Sequence, residues 1–229
     1  MRYIASVSFG KDSLAMLLLL IERKRPLDEV VFYNTGMEFD CIYKLRDKVV
    51  KDVLEPNGIK FTELKPSMPF EKKMISYEHK TRKGETKLGY GWCGGMCRWG
   101  TTEKLRAIDK HCEGCHQFVG IALDEPKRLE RLEGTDKSSP LAEYGYTEEM
   151  ALKYCYSHNY AWNERGVNLY EVLDRVSCWC CRNKNLKELR NYKRLLPEYY
   201  DRLVKLENKI GEPMKKPYKL EERFKEMEK

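Results

Sequence analysis

The chain is predicted to be an α/β protein: a doubly wound, mostly parallel sheet with a helical, cysteine-containing C-terminal region. Three observations predict this. Strand-like apolar runs alternate with helical stretches through the first 135 residues. Short polar or glycine-bearing segments follow those runs at their carboxyl ends, where sheets of this kind bind ligands. From about residue 140 the pattern becomes helical. We therefore divide the chain into residues 1–135, a ligand-binding α/β domain, and residues 136–229, a helical region.

The elements follow in order. Tyr3–Val7 reads as a buried strand and Leu14–Arg23 as a helix with an apolar face. Glu29–Tyr33 is the second strand and Ile59–Leu64 the third. Thr101–Lys110 reads as a helix and Gln117–Ile121 as the next strand. Thr147 is a good N-cap for a helix that carries Glu148 and Glu149 in its first turn. "LKELRNYKRLLPEYYDRLVKLENKI" has helical periodicity broken at Pro197, and the charged tail after Gly211 is expected to be peripheral.

Composition narrows the classes. The chain has 229 residues, 43 basic and 36 acidic, for a formal charge of +7. This mild excess suits an anionic ligand. Leu14–Ile21 is too short to span a bilayer, and charged residues flank it on both sides. The chain reads as cytoplasmic, with no membrane partner. Nine cysteines in a reducing compartment point to metal ligands or catalytic thiols rather than disulfides.

Between the first strand and helix lies Ser8-Phe9-Gly10-Lys11-Asp12-Ser13. A strand-to-helix turn of this kind aims backbone N–H groups and the positive helix end at one point, which attracts phosphate. Gly10 permits close approach, Ser8 and Ser13 add hydroxyls, and Lys11 adds charge. It is not a P-loop, because Ala5 stands where the first glycine is required and Asp12 follows Lys11.

The segment resembles the Ser-x-Gly-x-Asp-Ser pyrophosphate loop of the adenine nucleotide α-hydrolase (PP-loop) superfamily. Asn34-Thr35-Gly36-Met37-Glu38-Phe39 resembles the segment that borders adenosine in the phosphoadenosine phosphosulfate (PAPS) reductase family. "RWGTTEKL", from Arg98, resembles that family's Arg-Trp-Cys-Thr segment, with Gly100 in place of cysteine. In "QFVGIALDEPKRLERL", Gly120, Asp124, Glu125 and Arg128 match a further motif, and Pro126 replaces its serine. "PLAEYGYTEEMALKYC", from Pro140, matches another.

The resemblance implies a nucleotide site made of Ser8, Phe9, Gly10, Lys11, Asp12, Ser13, Asn34, Thr35, Gly36, Glu38, Arg98, Gly120, Asp124 and Arg128. Lys11, Asp12 and Arg128 would act on the phosphates, with Mg2+ neutralising the leaving group beside Asp12. An arginine fork grips two oxygens at once, which suits Arg98 and Arg128 to an anion.

The cysteines form groups: Cys93 and Cys97, Cys112 and Cys115, and Cys178, Cys180 and Cys181. Cys41 and Cys155 stand alone and read as buried apolar residues. A helix of about ten residues, roughly 15 Å long, separates the first pair from the second, which puts Cys93 and Cys97 near the ligand and Cys112 and Cys115 at the far end. Cluster-containing relatives of the resembled family pair cysteines before the Arg-Trp segment with a late Cys-x-x-Cys. That logic assigns Cys93, Cys97, Cys178 and Cys181, with Cys180 as substitute, to a 4Fe–4S cluster or Zn2+. "HCEGCH" would either hold a small separate zinc with His111 or His116, or form a turn of unligated thiols.

Two chemistries fit this resemblance. The first is ATP-dependent, adenylating sulfur transfer with release of pyrophosphate to a tRNA base, the DNA backbone or a small metabolite, with or without a sulfur-donor protein. The second is reduction of PAPS or its unphosphorylated relative, which in that family uses a cysteine near the C-terminus. No cysteine follows Cys181 here, so sulfur transfer ranks first. A non-catalytic nucleotide-binding subunit of a nucleic-acid modification system ranks third.

Overall fold

The computed structural model describes residues 1–226. Its first elements are β1 (Tyr3–Ser6), α1 (Lys11–Glu22), β2 (Glu29–Tyr33), α2 (Asp40–Val49), β3 (Lys60–Leu64), α3 (Phe70–Ile75), β4 (Glu78–Lys80) and β5 (Thr86–Leu88). There follow α4 (Lys104–His111), β6 (His116–Val119), α5 (Pro126–Leu129), β7 (Lys137–Ser138), α6 (Pro140–Glu143) and α7 (Glu148–Ser157). The last are β8 (Asn163–Glu164), β9 (Val167–Asn168), α8 (Leu169–Val172), α9 (Leu186–Leu195), α10 (Pro197–Ile210) and α11 (Leu220–Glu226).

The chain forms two compact units that interleave along the sequence. The first comprises residues 1–34, 40–65 and 104–162; the second comprises 35–39, 66–103 and 163–229. The expected cut at residue 135 does not follow these units. Residues 136–162 join the first because α6 and α7 lie against α1.

The first unit holds a five-stranded parallel sheet in the order β3-β2-β1-β6-β7, flanked by helices. β1 is central: Ala5 stands opposite Val30 on one side and Phe118 on the other. Every residue from Leu14 to Leu20 is buried. That explains why α1 reads as a nearly continuous apolar run rather than a stripe, since it is covered on more than one side. The order places the reversal of direction between β1 and β6, so the crevice beyond their carboxyl ends lies between the segments that follow them.

The second unit is mainly helical, with two short hairpins, β4–β5 and β8–β9. Helices α9 and α10 meet at Pro197, where the sequence predicts the break. The tail after Gly211 is not peripheral as expected. Met214, Leu220 and Phe224 are buried, and the buried carboxylate of Glu207 accepts the backbone N–H groups of Met214 at 2.7 Å and Leu220 at 2.8 Å. A buried carboxylate must be matched by donors, and the returning tail supplies them. Among the described residues, no helix is long and apolar enough to cross a membrane.

Candidate functional site

In the first unit, the turn after β1 is built around Phe9. Its φ of 58° lies in the left-handed region, which a bulky residue seldom adopts. Two contacts hold it there. The ring is buried against Phe32, with centroids 5.2 Å apart, and the Trp162 indole Nε1 donates to the Phe9 carbonyl at 2.7 Å. This kink turns the chain sharply into α1. The Ser13 hydroxyl closes the loop: it accepts from Ser8 N at 3.1 Å and donates to the Gly10 carbonyl at 3.1 Å. Gly10 caps α1 without a side chain, so the helix start presents backbone rather than a competing oxygen.

Lys11 Nζ donates to Asp12 Oδ1 and to Glu148 Oε2, each at 2.7 Å. Asp124 Oδ1 in turn accepts the backbone N–H of Glu148 at 3.0 Å. Burial pushes the Asp12 carboxyl up despite Lys11 beside it. Burial pulls the Lys11 ammonium down, but its bonds to Asp12 and Glu148 outweigh this and leave its pKa raised. Glu148 is a member that sequence reasoning noted only as a first-turn acid. Nothing local in the sequence pairs it with Lys11, which lies 137 residues away.

The segment after β6 reaches the same turn. A Cβ on Gly120 would stand 2.8 Å from the backbone of Asp12 and Ser13. The glycine is therefore demanded by close backbone approach, and it brings the loop and the Gly120–Asp124 motif together. Arg128 faces solvent. It is 51% exposed and grips both Glu125 oxygens, at 2.6 and 2.7 Å. Asn34 directly follows β2, and its side chain accepts from the Tyr43 hydroxyl at 3.1 Å and donates to Glu63 at 3.2 Å.

In the second unit, buried Thr35 is a hub. Its hydroxyl donates to Glu38 at 2.9 Å, accepts Met37 N at 3.1 Å and stands 3.7 Å from Cys178 Sγ. The Met37 carbonyl accepts Trp179 N at 2.9 Å. The segment expected to border a nucleotide is thus bonded directly to the late cysteine segment. Gly36 takes a φ of 76° to make the turn. Arg98 is exposed and lies over the Tyr90 ring, 4.3 Å from its centroid.

Cys93, Cys97, Cys178, Cys180 and Cys181 all line one cavity of about 400 Å³ in this unit. Gly100 N donates to Cys97 Sγ at 3.3 Å, so the residue that replaces the resembled family's cysteine serves a neighbouring one. Cys93, Cys178 and Cys180 favour their protonated form. Contact with Cys97, then burial, pushes Cys93 up; burial pushes Cys178 well up and Cys180 to about 12. Five thiols on one cavity are the donor chemistry of a cluster or of zinc. Among the described residues, no three His, Cys, Asp or Glu side chains converge closely enough to hold a single metal ion.

Cys112 and Cys115 lie in the first unit, in the turn between α4 and β6. Neither histidine completes a zinc site with them. His111 Nε2 lies 3.0 Å from Glu29, and His116 Nε2 lies 2.9 Å from the Ser138 hydroxyl. Cys41 and Cys155 are buried, as their isolation predicts.

Comparison with known proteins places the chain. An uncharacterized protein of Methanocaldococcus jannaschii is 28% identical over 212 residues, which cover 87% of this chain and 40% of that protein. A second uncharacterized protein of the same organism is 24% identical over 220 residues, covering 90% and 47%. The chain therefore spans less than half the length of these curated relatives. The U34-tRNA thiolase NcsA from Methanococcus maripaludis, solved with its 4Fe–4S cluster, superposes on 92% of this chain and 72% of its own at a TM-score of 0.47 and 17% identity. A likeness that loose carries no functional argument. Residues 2–189 match the phosphoadenosine phosphosulfate reductase domain, and the chain belongs to that family.

Proposed function

We propose that the chain binds ATP at the Ser8–Ser13 loop and transfers sulfur to an acceptor by adenylation. The observation that carries this reading is the bonding of Thr35 and Met37 to Cys178 and Trp179. A nucleotide bordered by residues 34–38 would lie beside thiols, and a group transfer needs its reacting atoms held in contact distance. In the first unit, the loop would take pyrophosphate oxygens, with Lys11 moving to them from its two carboxylates. Asp12 and Mg2+ would neutralise the leaving group.

Cys93, Cys97, Cys178 and Cys181, with Cys180 beside them, would hold a 4Fe–4S cluster. Single zinc draws four ligands to about 2.0–2.3 Å of one point; a cluster takes one thiolate per iron and spreads them. Thiols set around a cavity without converging favour the cluster. Bound there, it would supply a site that carries or polarises sulfur. A tRNA base or the DNA backbone is the acceptor class we favour, and a sulfur-donor protein a natural partner.

The test is product analysis. The chain is incubated with ATP, Mg2+, sulfide and total tRNA or DNA, and nucleotide products are read by phosphorus NMR. AMP and pyrophosphate should appear in step with sulfur in the nucleic acid. If ATP stays intact while PAPS and a thiol give sulfite and adenosine 3′,5′-bisphosphate, the chain is a reductase.

A further inference from the structure

The sulfur-transfer reading leaves the "HCEGCH" segment of the first unit without a role. Backbone bonds fix both of its cysteines. Cys112 N donates to the Ile108 carbonyl at 2.9 Å and so continues α4. Cys115 N donates back to the Cys112 carbonyl at 3.0 Å, which closes the turn Cys112-Glu113-Gly114-Cys115. Gly114, its third residue, takes the φ of 72° that a type II turn requires there. The next residue, His116, starts β6 and donates its N–H to the Arg2 carbonyl at 2.9 Å. A closed turn keeps its end Cα atoms within about 7 Å, and a disulfide spans about 4.4–6.8 Å between Cα atoms. The fold therefore holds these two cysteines within reach of one bridge.

Their thiols are unequal. Cys112 is only 6% exposed. Burial, and then the neighbouring Cys115, pushes its thiol up to about 11. The carbonyl end of α4 also disfavours negative charge at that point. Cys115 is half-buried, with its Sγ 3.7 Å from the Glu113 carbonyl. It interacts electrostatically with the Arg2 guanidinium, and a nearby cation favours a thiolate. One thiol thus meets solvent, and the other stands behind it in the same turn. His111 and His116 are turned to Glu29 and Ser138, which leaves two thiols, half of the four ligands of a structural zinc site.

We propose that Cys112 and Cys115 form a dithiol–disulfide exchange site whose substrates are small-molecule disulfides, with Cys115 as the entry thiol and Cys112 as the resolving thiol. The Cys115 thiolate attacks one sulfur of a disulfide RSSR, and RS− leaves with the electron pair of the broken bond. Cys112 then attacks the Cys115 sulfur of the mixed disulfide and releases the second RS−. The protons of the two cysteines pass to the two leaving thiolates. The chain gives up two electrons and two protons, and the substrate becomes two RSH. The new S–S bond fastens the end of α4 to the start of β6.

The experiment is a redox titration of the full chain, purified anaerobically and equilibrated with reduced and oxidised glutathione. Trypsin releases residues 111–127, which contain Cys112 and Cys115 and no other cysteine, so loss of two hydrogens from that peptide reports this bridge alone. The bridge should form in the folded chain at an oxidised-to-reduced glutathione ratio at least tenfold lower than in the chain unfolded in urea. The order of attack is read from single variants exposed to oxidised glutathione. Cys112→Ser should stop at a glutathione adduct on Cys115. Cys115→Ser should acquire an adduct on Cys112 at least tenfold more slowly. Equal ratios in the folded and unfolded chain would overturn the proposal, as would equal adduct rates in the two variants. A zinc ion held by the pair in the purified chain and released by Cys112→Ser would overturn it too. No ATP or acceptor enters these measurements, so their outcome is independent of the sulfur-transfer reading.

Discussion

The hydroxyl oxygen of Thr35 stands 3.7 Å from the Sγ of Cys178, and the same oxygen accepts Met37 N. Thr35→Val keeps the shape but orphans a buried donor, a loss of about 1–3 kcal/mol; it should lower the melting temperature and nucleotide affinity together. Thr35→Ser should restore both. Iron and sulfide analysis of anaerobically purified protein extends the test: Cys178→Ser should lose the metal, whereas Cys155→Ser should keep it. Metal retained by the first variant would place the ligands elsewhere.

Gly120→Ala sets a methyl group 2.8 Å from the backbone of Asp12 and Ser13. No side chain can swing aside there, so the loop itself must shift. We expect a destabilisation of about 1–3 kcal/mol and at least a tenfold loss of ATP affinity, read by thermal melting and calorimetric titration. An unchanged affinity would separate this segment from the nucleotide.

Lys11 is shared by Asp12 and Glu148, and a phosphate must compete with both. Glu148→Gln removes one competitor and a like charge, and should tighten ATP several-fold in the absence of Mg2+. Lys11→Met should weaken it at least tenfold. A weaker Glu148→Gln complex under those conditions would give that carboxylate a different role.

Buried Glu29 anchors the far end of the sheet. Burial alone would raise its pKa, but bonds from Thr62, His111, Arg2 and Lys60 outweigh this and hold it at about 2, below the ordinary 4.5. A carboxyl lowered on folding stabilises above its unfolded value and loses that contribution as pH falls toward the folded one. The shift corresponds to about 3 kcal/mol. Denaturant titrations from pH 6 to pH 3 should show stability falling below about pH 4.5, and Glu29→Gln should flatten the fall.

How much of this was legible follows from the physics of each element. Strands and helices of the sheet announce themselves because burial writes apolar runs into the sequence. The loop stood out because a strand-to-helix turn that receives an anion needs particular residues, and Gly120 stood out only through the resemblance, its close approach to Asp12 and Ser13 being visible in the structure alone. Contacts set by distant chain segments left no such trace. The Trp162 bond that pins Phe9 spans 153 residues, and the buried Glu207 looks like any helical glutamate until the tail returns over it. The interleaved units were hidden for the same reason: α6 and α7 have ordinary helical patterns, and only packing assigns them to the sheet.

Competition binding of ATP against PAPS tests the central claim most directly, since it needs no knowledge of the acceptor. Recognition of a 3′-phosphate requires a cationic partner, and Arg128 is already gripped by Glu125. Sulfur transfer from ATP predicts that ATP binds at least as tightly as PAPS. A hundredfold preference for PAPS, about 2.7 kcal/mol, would contradict it and make sulfonucleotide reduction the better account.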